Sequence, residues 1–230
     1  IATELFAEVE EKTMQPFFPQ AARDILKPNG LFQKGQSRVW IDDNGWFLII
    51  VEFQPSSYDK GSYLNVAINY LWSEKDYLSF DYGHRVNEFV AFSGDEIEFY
   101  SGMVLLSERA LEKVEEYRCF KDMLYAKEQI LGYNGHSSLS HELYNKMMIC
   151  GLIKDDKARV FYKKLEDNIK DSQLGWEKEY YTELSEKIAP VIEDAELFYE
   201  YVINKIKRQR EYWHNKASMK KLREGNFEIA

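Results

Sequence analysis

A carboxylate, an imidazole and a guanidinium occur within the short run from Asp81 to Arg85. Such groups can act as acid or base, or bind a phosphate, when their side chains converge in one pocket. Asp81, His84 and Arg85 are therefore the candidate catalytic residues. Neighbouring residues of a strand point to opposite faces, so the pattern brings Asp81 and Arg85 together and turns His84 away. The alternative interpretation is a polar loop closed by an ion pair between Asp81 and Arg85.

A second polar set follows the strands predicted nearer the N-terminus. Lys34 and Arg38 alternate along the first predicted strand and form a basic stripe that suits an anionic ligand. Gln54 and Asn69, from neighbouring strands, are the expected hydrogen-bonding partners of that ligand. The competing interpretation is that these four residues form only the solvated face of a sheet.

The C-terminal tract is the strongly basic part of an acidic chain. The formal net charge is −9, yet residues 205–224 carry eight lysines and arginines against two glutamates. Lys207, Arg208, Arg210 and Trp213 are the residues expected to contact nucleic acid or an acidic partner by charge and stacking. The alternative is a terminal helix that buries Trp213 and leaves its charges in solvent.

Motifs typical of metal, nucleotide and nucleophilic sites do not occur in the sequence. The four histidines lack metal-ligand spacing, and neither a glycine-rich phosphate loop nor Gly-x-Ser-x-Gly is present. Cys119 and Cys150 fall in apolar helical patterns and are expected to be buried thiols in a reducing compartment. We therefore predict no metal, no cofactor and a cytoplasmic location.

Composition sets the outer limits of the fold and its partners. A chain of 230 residues with 45% hydrophobic content can bury a sizeable core. No apolar run approaches the roughly 20 residues that a membrane helix needs. The negative net charge argues against general affinity for nucleic acid, because that affinity requires a positive surface.

The first half of the chain predicts short helices followed by a mainly antiparallel sheet. Helical spacing occurs near Leu5 and Val9 and again over residues 20–27. The turn signal Asn44-Gly45 predicts a hairpin between residues 37–41 and a central strand over residues 46–53. Three further strands are predicted, over residues 63–71, 79–82 and 97–100.

From Ser107 onward the sequence predicts helices. Ser107 is expected to cap the first of them, and the last tract is expected to kink near Pro190. The fold class is thus α+β, with a sheet domain over residues 1–105 and a helical domain over residues 106–230 packed against it. The helical segments are predicted over residues 107–132, 139–150, 158–169 and 176–222.

Short motifs in the first half resemble those of a bacterial family. The stretches Leu26 to Gly35, Ile50 to Ser56 and Leu64 to Asn69 follow in the order found in domain-of-unknown-function family 4304. The similarity covers about residues 1–105, and the chain departs from the family in its inserted Leu31 and in Gln33, where a basic residue is common. The resemblance implies an α+β front domain and a bacterial source, and it brings no assigned catalytic residues.

The leading hypothesis is a non-enzymatic protein-binding module of a bacterial cytoplasm. An accessory or immunity-type factor would contact a basic protein partner through its acidic, tyrosine-rich surface. The first alternative is a hydrolase or nuclease-like enzyme that places Asp81, His84 and Arg85 near Lys34 and Arg38. The second alternative is salt-sensitive nucleic-acid contact through the C-terminal basic helix.

Overall fold

The computed structural model describes residues 17–222, apart from the side chains of residues 17–19 and 87. The predicted helix near Leu5 and Val9 lies outside this range. The α+β class is confirmed, with a sheet in the first half and most helices in the second. The elements are α1 (Phe17–Leu26), β1 (Phe32–Gln33), β2 (Val39–Asp43), β3 (Phe47–Pro55), β4 (Gly61–Tyr70), β5 (Tyr82–Ala91), α2 (Glu96–Arg118), α3 (Met123–Gly132), α4 (Leu139–Leu152), α5 (Lys157–Ile169), α6 (Gly175–Glu183) and α7 (Ala195–His214).

The five strands form one antiparallel sheet in chain order, from β1 to β5. Strand β3 pairs on both sides, with β2 and β4, which confirms the predicted hairpin and central strand. The turn between β2 and β3 needs Gly45, whose φ of 82° lies in the left-handed region. Strand β5 differs most from its prediction, because it covers Tyr82–Ala91 and the predicted strand covered residues 79–82.

The strand predicted over residues 97–100 is wrong, because these residues belong to α2. Asp95 caps that helix, and its Oδ1 accepts hydrogen bonds from the backbone N–H groups of Ile97 and Glu98 at 2.9 and 3.0 Å. The cap satisfies donors that a helix start leaves free, so the helix begins eleven residues before the predicted cap. Ser107 lies buried inside α2 and donates to the carbonyl of Met103.

The helices predicted over residues 139–150 and 158–169 correspond to α4 and α5, whereas the segment predicted over residues 107–132 divides into α2 and α3. Ser138 caps α4, and the tract predicted over residues 176–222 divides at a turn around Pro190 into α6 and α7. Cys150 is buried, but Cys119 is exposed, contrary to the prediction. A tight turn over Cys119–Lys121 shifts the helical phase, so Phe120 faces the core in place of Cys119.

Contacts join the sheet to the helices on both sides. Helix α2 packs on one face, where Tyr117 and Phe120 meet the ring of Tyr82 edge-on. The indole of Trp72, just after β4, donates to the Asn145 side chain of α4 at 2.9 Å. One cluster of buried apolar residues spans both halves of the chain. Across residues 17–222, no helix has the length and apolarity required to cross a membrane.

Candidate functional site

The strand register gives the sheet two chemically different faces. Val51, Phe53, Leu64 and Val66 lie on the face that α2 covers. The residues between them in sequence lie on the opposite face, because side chains alternate along a strand. We call this opposite face the polar face; it carries Glu52, Gln54, Asn65 and Arg85.

Side-chain hydrogen bonds connect the polar residues of three neighbouring strands. Asn65 donates from Nδ2 to Glu52 at 2.8 Å and to Gln54 at 3.0 Å. Arg85 donates to Gln54 at 2.7 Å, and its guanidinium lies 4.2 Å from the ring centre of Tyr63. These contacts hold Arg85 in place while leaving it exposed to solvent.

A second polar cluster forms where β4 ends and β5 begins. Asp81 is buried and accepts hydrogen bonds from the backbone N–H of Tyr70, from Ser79 and from Asn69. Lys75 forms an ion pair with Asp81 at 3.3 Å and also donates to Ser79. These bonds tie the segment between β4 and β5 to the sheet, so their first role is structural.

Beside these clusters, the polar face contains an open groove of about 650 Å³. The floor comes from β2 and β3, one wall from the loop of residues 76–80, and the other wall from Trp213 of α7. We call this space the polar-face groove. Its lining residues are Lys34, Val39, Ile50, Glu52, Asp76, Tyr77, Leu78, Ser79, Phe80 and Trp213.

The loop of residues 76–80 is fastened at its start to helix α7. Glu74, which adopts a left-handed conformation with φ 48°, accepts from Arg208 at 2.6 Å and pairs with Lys205 at 2.8 Å. The side chain of Gln209 donates to the backbone carbonyl of Lys75 at 2.6 Å. Burial raises the pKa of Glu74, but the Arg208 and Lys205 contacts outweigh it and lower that pKa, so the carboxylate stays charged.

The same helix holds the groove floor through Arg210. Its guanidinium binds both carboxylate oxygens of Asp43 at 2.7 and 2.8 Å and also donates to the carbonyl of Gly45. One turn further along α7, Trp213 is only 4% exposed, and its Nε1 has no hydrogen-bond partner within residues 17–222. Helix α7 thus fixes the floor and the loop, and its Trp213 forms part of the groove wall.

Two histidines lie at the start of α4 and in the segment before it. His141 at the start of α4 stacks on Trp176 at 4.7 Å, and its Nδ1 lies 2.7 Å from the Ser138 hydroxyl. Burial, and then the charge of Lys75, lowers the pKa of His141. Burial likewise lowers the pKa of His136, against the opposing charge of Asp81. Both imidazoles are therefore neutral near pH 7.

The candidate catalytic residues do not share a pocket in this arrangement. Asp81 pairs with Lys75, not with Arg85. His84 is exposed and lies opposite Val66 in the register, on the other face of the sheet from Arg85. None of the three lines the polar-face groove. The long side chain of Lys75 explains the difference, because it reaches Asp81 from the preceding loop.

The four candidate ligand-binding residues are divided between different environments. Lys34 lines the groove, Gln54 belongs to the exposed hydrogen-bonded set, and Asn69 lies in the buried Asp81 cluster. Lys34 and Arg38 do not form a stripe along one strand, since they flank the turn between β1 and β2. The backbone N–H of Lys34 donates to the Val39 carbonyl across this turn, and Arg38 does not line the groove.

The basic tract folds onto the body of the protein. Arg210 and Trp213 are buried, Arg208 pairs with Glu74, and Lys207 is exposed. Lys205, also buried, pairs with Glu74 and Glu183. The tract therefore presents less free positive charge than its sequence indicates, because carboxylates from the sheet and from α6 neutralise it.

The groove contains no activated nucleophile among the described side chains. Ser79 donates its hydroxyl proton to Asp81 and accepts from Asn69 and Lys75, so its lone pairs are already used. The Nζ of Lys75 is engaged by Asp81 and by the Ser79 hydroxyl, so the serine has no free base beside it. Residues 17–222 also lack a cluster of three potential metal ligands. The groove offers carboxylates, an ammonium and aromatic rings, which are groups suited to binding.

Sequence reasoning missed Glu52, Asp76, Tyr77 and Phe80 as site residues. Three of them lie in the loop between β4 and β5, where the periodic pattern is weak and where Phe80 falls in the short strand predicted over residues 79–82. A usable signal was present in that loop, because two aromatics beside an acid in a non-periodic segment indicate an exposed binding loop more than a core element.

Comparisons of the chain with protein-family models, with curated proteins and with solved structures gave no match. The resemblance of residues 1–105 to domain-of-unknown-function family 4304 therefore stays a prediction.

Proposed function

We propose that this protein is a non-enzymatic protein-binding module of a bacterial cytoplasm, an accessory or immunity-type factor that contacts its partner through the polar-face groove. One observation carries the proposal: one wall of the open groove is a loop that is fixed at both ends and that carries exposed aromatic rings. Tyr77 and Phe80 are 59% and 42% exposed, although large aromatic side chains stabilise a fold most when they are buried.

The state of the polar groups supports binding over catalysis. A catalytic serine needs a free base beside it, whereas Ser79 and Lys75 are committed to Asp81. Tyrosine, tryptophan and phenylalanine are enriched in the cores of protein interfaces. A groove rimmed by charges and walled by rings has the composition of such an interface.

Site-specific photocrosslinking in the native host tests this proposal. A photoreactive amino acid at position 80, inside the groove, should give one major adduct with a single protein. The same amino acid at position 58 is the matched control, because Tyr58 is 95% exposed and does not line the groove. The captured protein, purified separately, should then form a complex of defined stoichiometry with the unmodified chain.

Two results would contradict the proposal. One is an identical adduct pattern from positions 58 and 80. The other is no adduct at position 80 together with a purified chain that remains a monodisperse monomer. A small molecule recovered from the groove with no protein adduct would instead indicate a ligand-binding function.

A further inference from the structure

We infer that the polar-face groove binds an extended protein segment in which a lysine or arginine stands beside an aromatic or large aliphatic residue. This inference rests on the proposed function and specifies the chemistry of the partner. Three features of the groove carry it: the balance of its charges, the nature of its walls and the rigidity of its loop.

The negative charges of the groove are less neutralised than the positive charges around it. Within residues 17–222, neither Glu52 nor Asp76 takes part in an ion pair. Apart from Lys34, which belongs to the lining, the cations that hold the loop and the floor are already paired: Lys75 with Asp81, Lys205 and Arg208 with Glu74, and Arg210 with Asp43. A bound cation would find two carboxylates available, in a protein whose net charge is −9.

One lining residue, Lys34, is positively charged and makes the two ends of the groove differ in charge. Lys34 lies at the β1 side, opposite Val39, which in turn pairs with Glu52 of β3. Neighbouring strands are about 4.8 Å apart, so roughly two strand spacings separate Lys34 from Glu52. The groove is therefore positive at its β1 end and negative along β3 and the loop, where a basic side chain would bind.

The walls supply apolar contact for the rest of the segment. Tyr77, Phe80 and Trp213 present rings, while Val39, Ile50 and Leu78 present aliphatic surface. A cation that binds a carboxylate next to an aromatic ring gains a further attraction to the ring face. The combination selects a basic residue with an apolar neighbour over a segment that is only charged or only apolar.

The groove is formed before any partner binds. Its loop is held by Glu74 and Lys75 at one end and by Ser79 and Asp81 at the other. Ordering a mobile loop would reduce affinity, and a loop fixed in advance avoids that cost. A short segment can therefore bind measurably by itself, which makes peptides suitable probes.

The test measures binding of three fluorescein-labelled decapeptides to the full chain by anisotropy. The first alternates lysine or arginine with phenylalanine or leucine, the second replaces each basic residue with glutamate, and the third keeps the basic residues but replaces each apolar one with serine. We expect the first peptide to bind at least about tenfold more tightly than the other two, since tenfold corresponds to one well-placed interaction.

Charge variants of opposite sign locate the binding in the groove. Glu52→Gln and Asp76→Asn should each weaken binding of the first peptide by about fivefold to tenfold, because each removes an attraction to its cation. Lys34→Gln should strengthen that binding about twofold, because it removes a repulsion. Asp59→Asn, on the exposed β3–β4 loop, is the matched control and should have no effect.

Phe80→Ala tests the apolar part of the site and should weaken binding of the first peptide by about tenfold. Tyr58→Ala is its control. Thermal unfolding of every variant establishes that it folds, and a chain that folds but binds all three peptides equally would overturn the inference. So would a reversed order, in which Lys34→Gln weakens binding while Glu52→Gln does not, since the groove would then accept an anion.

Failure of this inference is distinguishable from failure of the proposed function. If position 80 captures a protein whose binding is insensitive to Glu52→Gln, Asp76→Asn and Phe80→Ala, the module stands and the basic segment is wrong. If the peptides bind as expected but position 80 captures no protein, the chemistry of the groove stands and the protein-binding function is wrong.

Discussion

At the scale of single residues, two adjacent aspartates show how one turn links both sides of the sheet. Asp42 and Asp43 point to opposite faces. Arg118 of α2 binds Asp42 at 2.8 and 3.0 Å, and Arg210 of α7 binds Asp43 with a similar two-bond geometry. Paired bonds between a guanidinium and a carboxylate fix orientation as well as distance. The β2–β3 turn is therefore clamped by one helix on each face.

Arg210→Met should lower the free energy of unfolding by about 3 kcal/mol, because it leaves the Asp43 carboxylate buried without its cation. Urea unfolding followed by circular dichroism measures this loss. The double variant with Asp43→Asn should be less destabilised than the sum of the single variants, since the uncompensated charge is gone. Arg159→Ala, which breaks exposed ion pairs on α5, is the control. A loss for Arg210→Met no larger than that of the control would contradict the clamp.

At the scale of elements, β5 is the strand that the sequence pattern obscured. Its register to β4 shifts between Tyr63 and Leu64, so two extra residues bulge out of β5. A bulge interrupts the pairing and bends the strand. Gly83, the second residue of the strand, has φ 96°, a backbone conformation that residues with a side chain rarely adopt. Irregular backbone of this kind removes the strict alternation by which a strand is recognised.

Gly83→Ala should destabilise the protein by about 2 to 4 kcal/mol, from backbone strain and from steric overlap. A Cβ atom at this position would lie 2.7 Å from the Tyr117 hydroxyl and 2.7 Å from the Val66 carbonyl oxygen. The midpoint of thermal unfolding reports the change. Gly132→Ala at the end of α3 is the matched control, because nothing lies within 4 Å of its Cβ position. Equal midpoints for the two variants would show that β5 tolerates a side chain there.

At the scale of the whole molecule, the helices complete the groove that the sheet begins. Strands β2 and β3 supply its floor, but Trp213 of α7 supplies a wall. The same helix anchors Glu74 and Lys75, at the start of the loop that forms the other wall. Helix α7, whose basic residues were one candidate for nucleic-acid contact, uses most of its positive charges in ion pairs within the fold. The site therefore depends on how the two halves pack against each other.

The pH dependence of stability is a property of this packing. Folding lowers the pKa values of His136 and His141 below their ordinary value of 6.5. As the pH falls below about 6.5, these histidines therefore bind protons in the unfolded chain before they do so in the folded chain. The free energy of unfolding decreases with pH until the pH reaches the lower folded-state pKa values. Besides burial, the charged groups acting on the two imidazoles are Lys75, Asp81, Glu142, Lys146 and Glu177, and His141 also lowers the pKa of His136.

The free energy of unfolding should thus fall between pH 7.5 and 5.5. Replacing both histidines with asparagine should flatten that slope, even if the variant is less stable at every pH. His84→Asn changes an exposed imidazole on β5 and serves as the control, with a slope like that of the parent chain. Urea titrations at pH 7.5, 6.5 and 5.5 measure the slopes. An undiminished slope in the double variant would assign the dependence to other groups.

The sequence by itself determined the regular part of this protein. The Asn44-Gly45 turn and the apolar central strand β3 were predictable, because each depends on neighbouring residues and on a fixed period. It did not determine where α2 starts or whether Cys119 faces the core or the solvent. In both places a local cap or a tight turn prevailed over the apolar pattern used to place the element.

Only the tertiary structure decided the site. Lys75 and not Arg85 pairs with Asp81, a turn separates Lys34 from Arg38, and Arg210 finds Asp43 far away along the chain. The physical reason is that ion pairs and groove walls form between elements that are distant in sequence, where neither period nor spacing carries information. The polar residues of the chain were visible from the start, but which of them are neutralised and which remain available to a partner depended on the packing of α7 against the sheet.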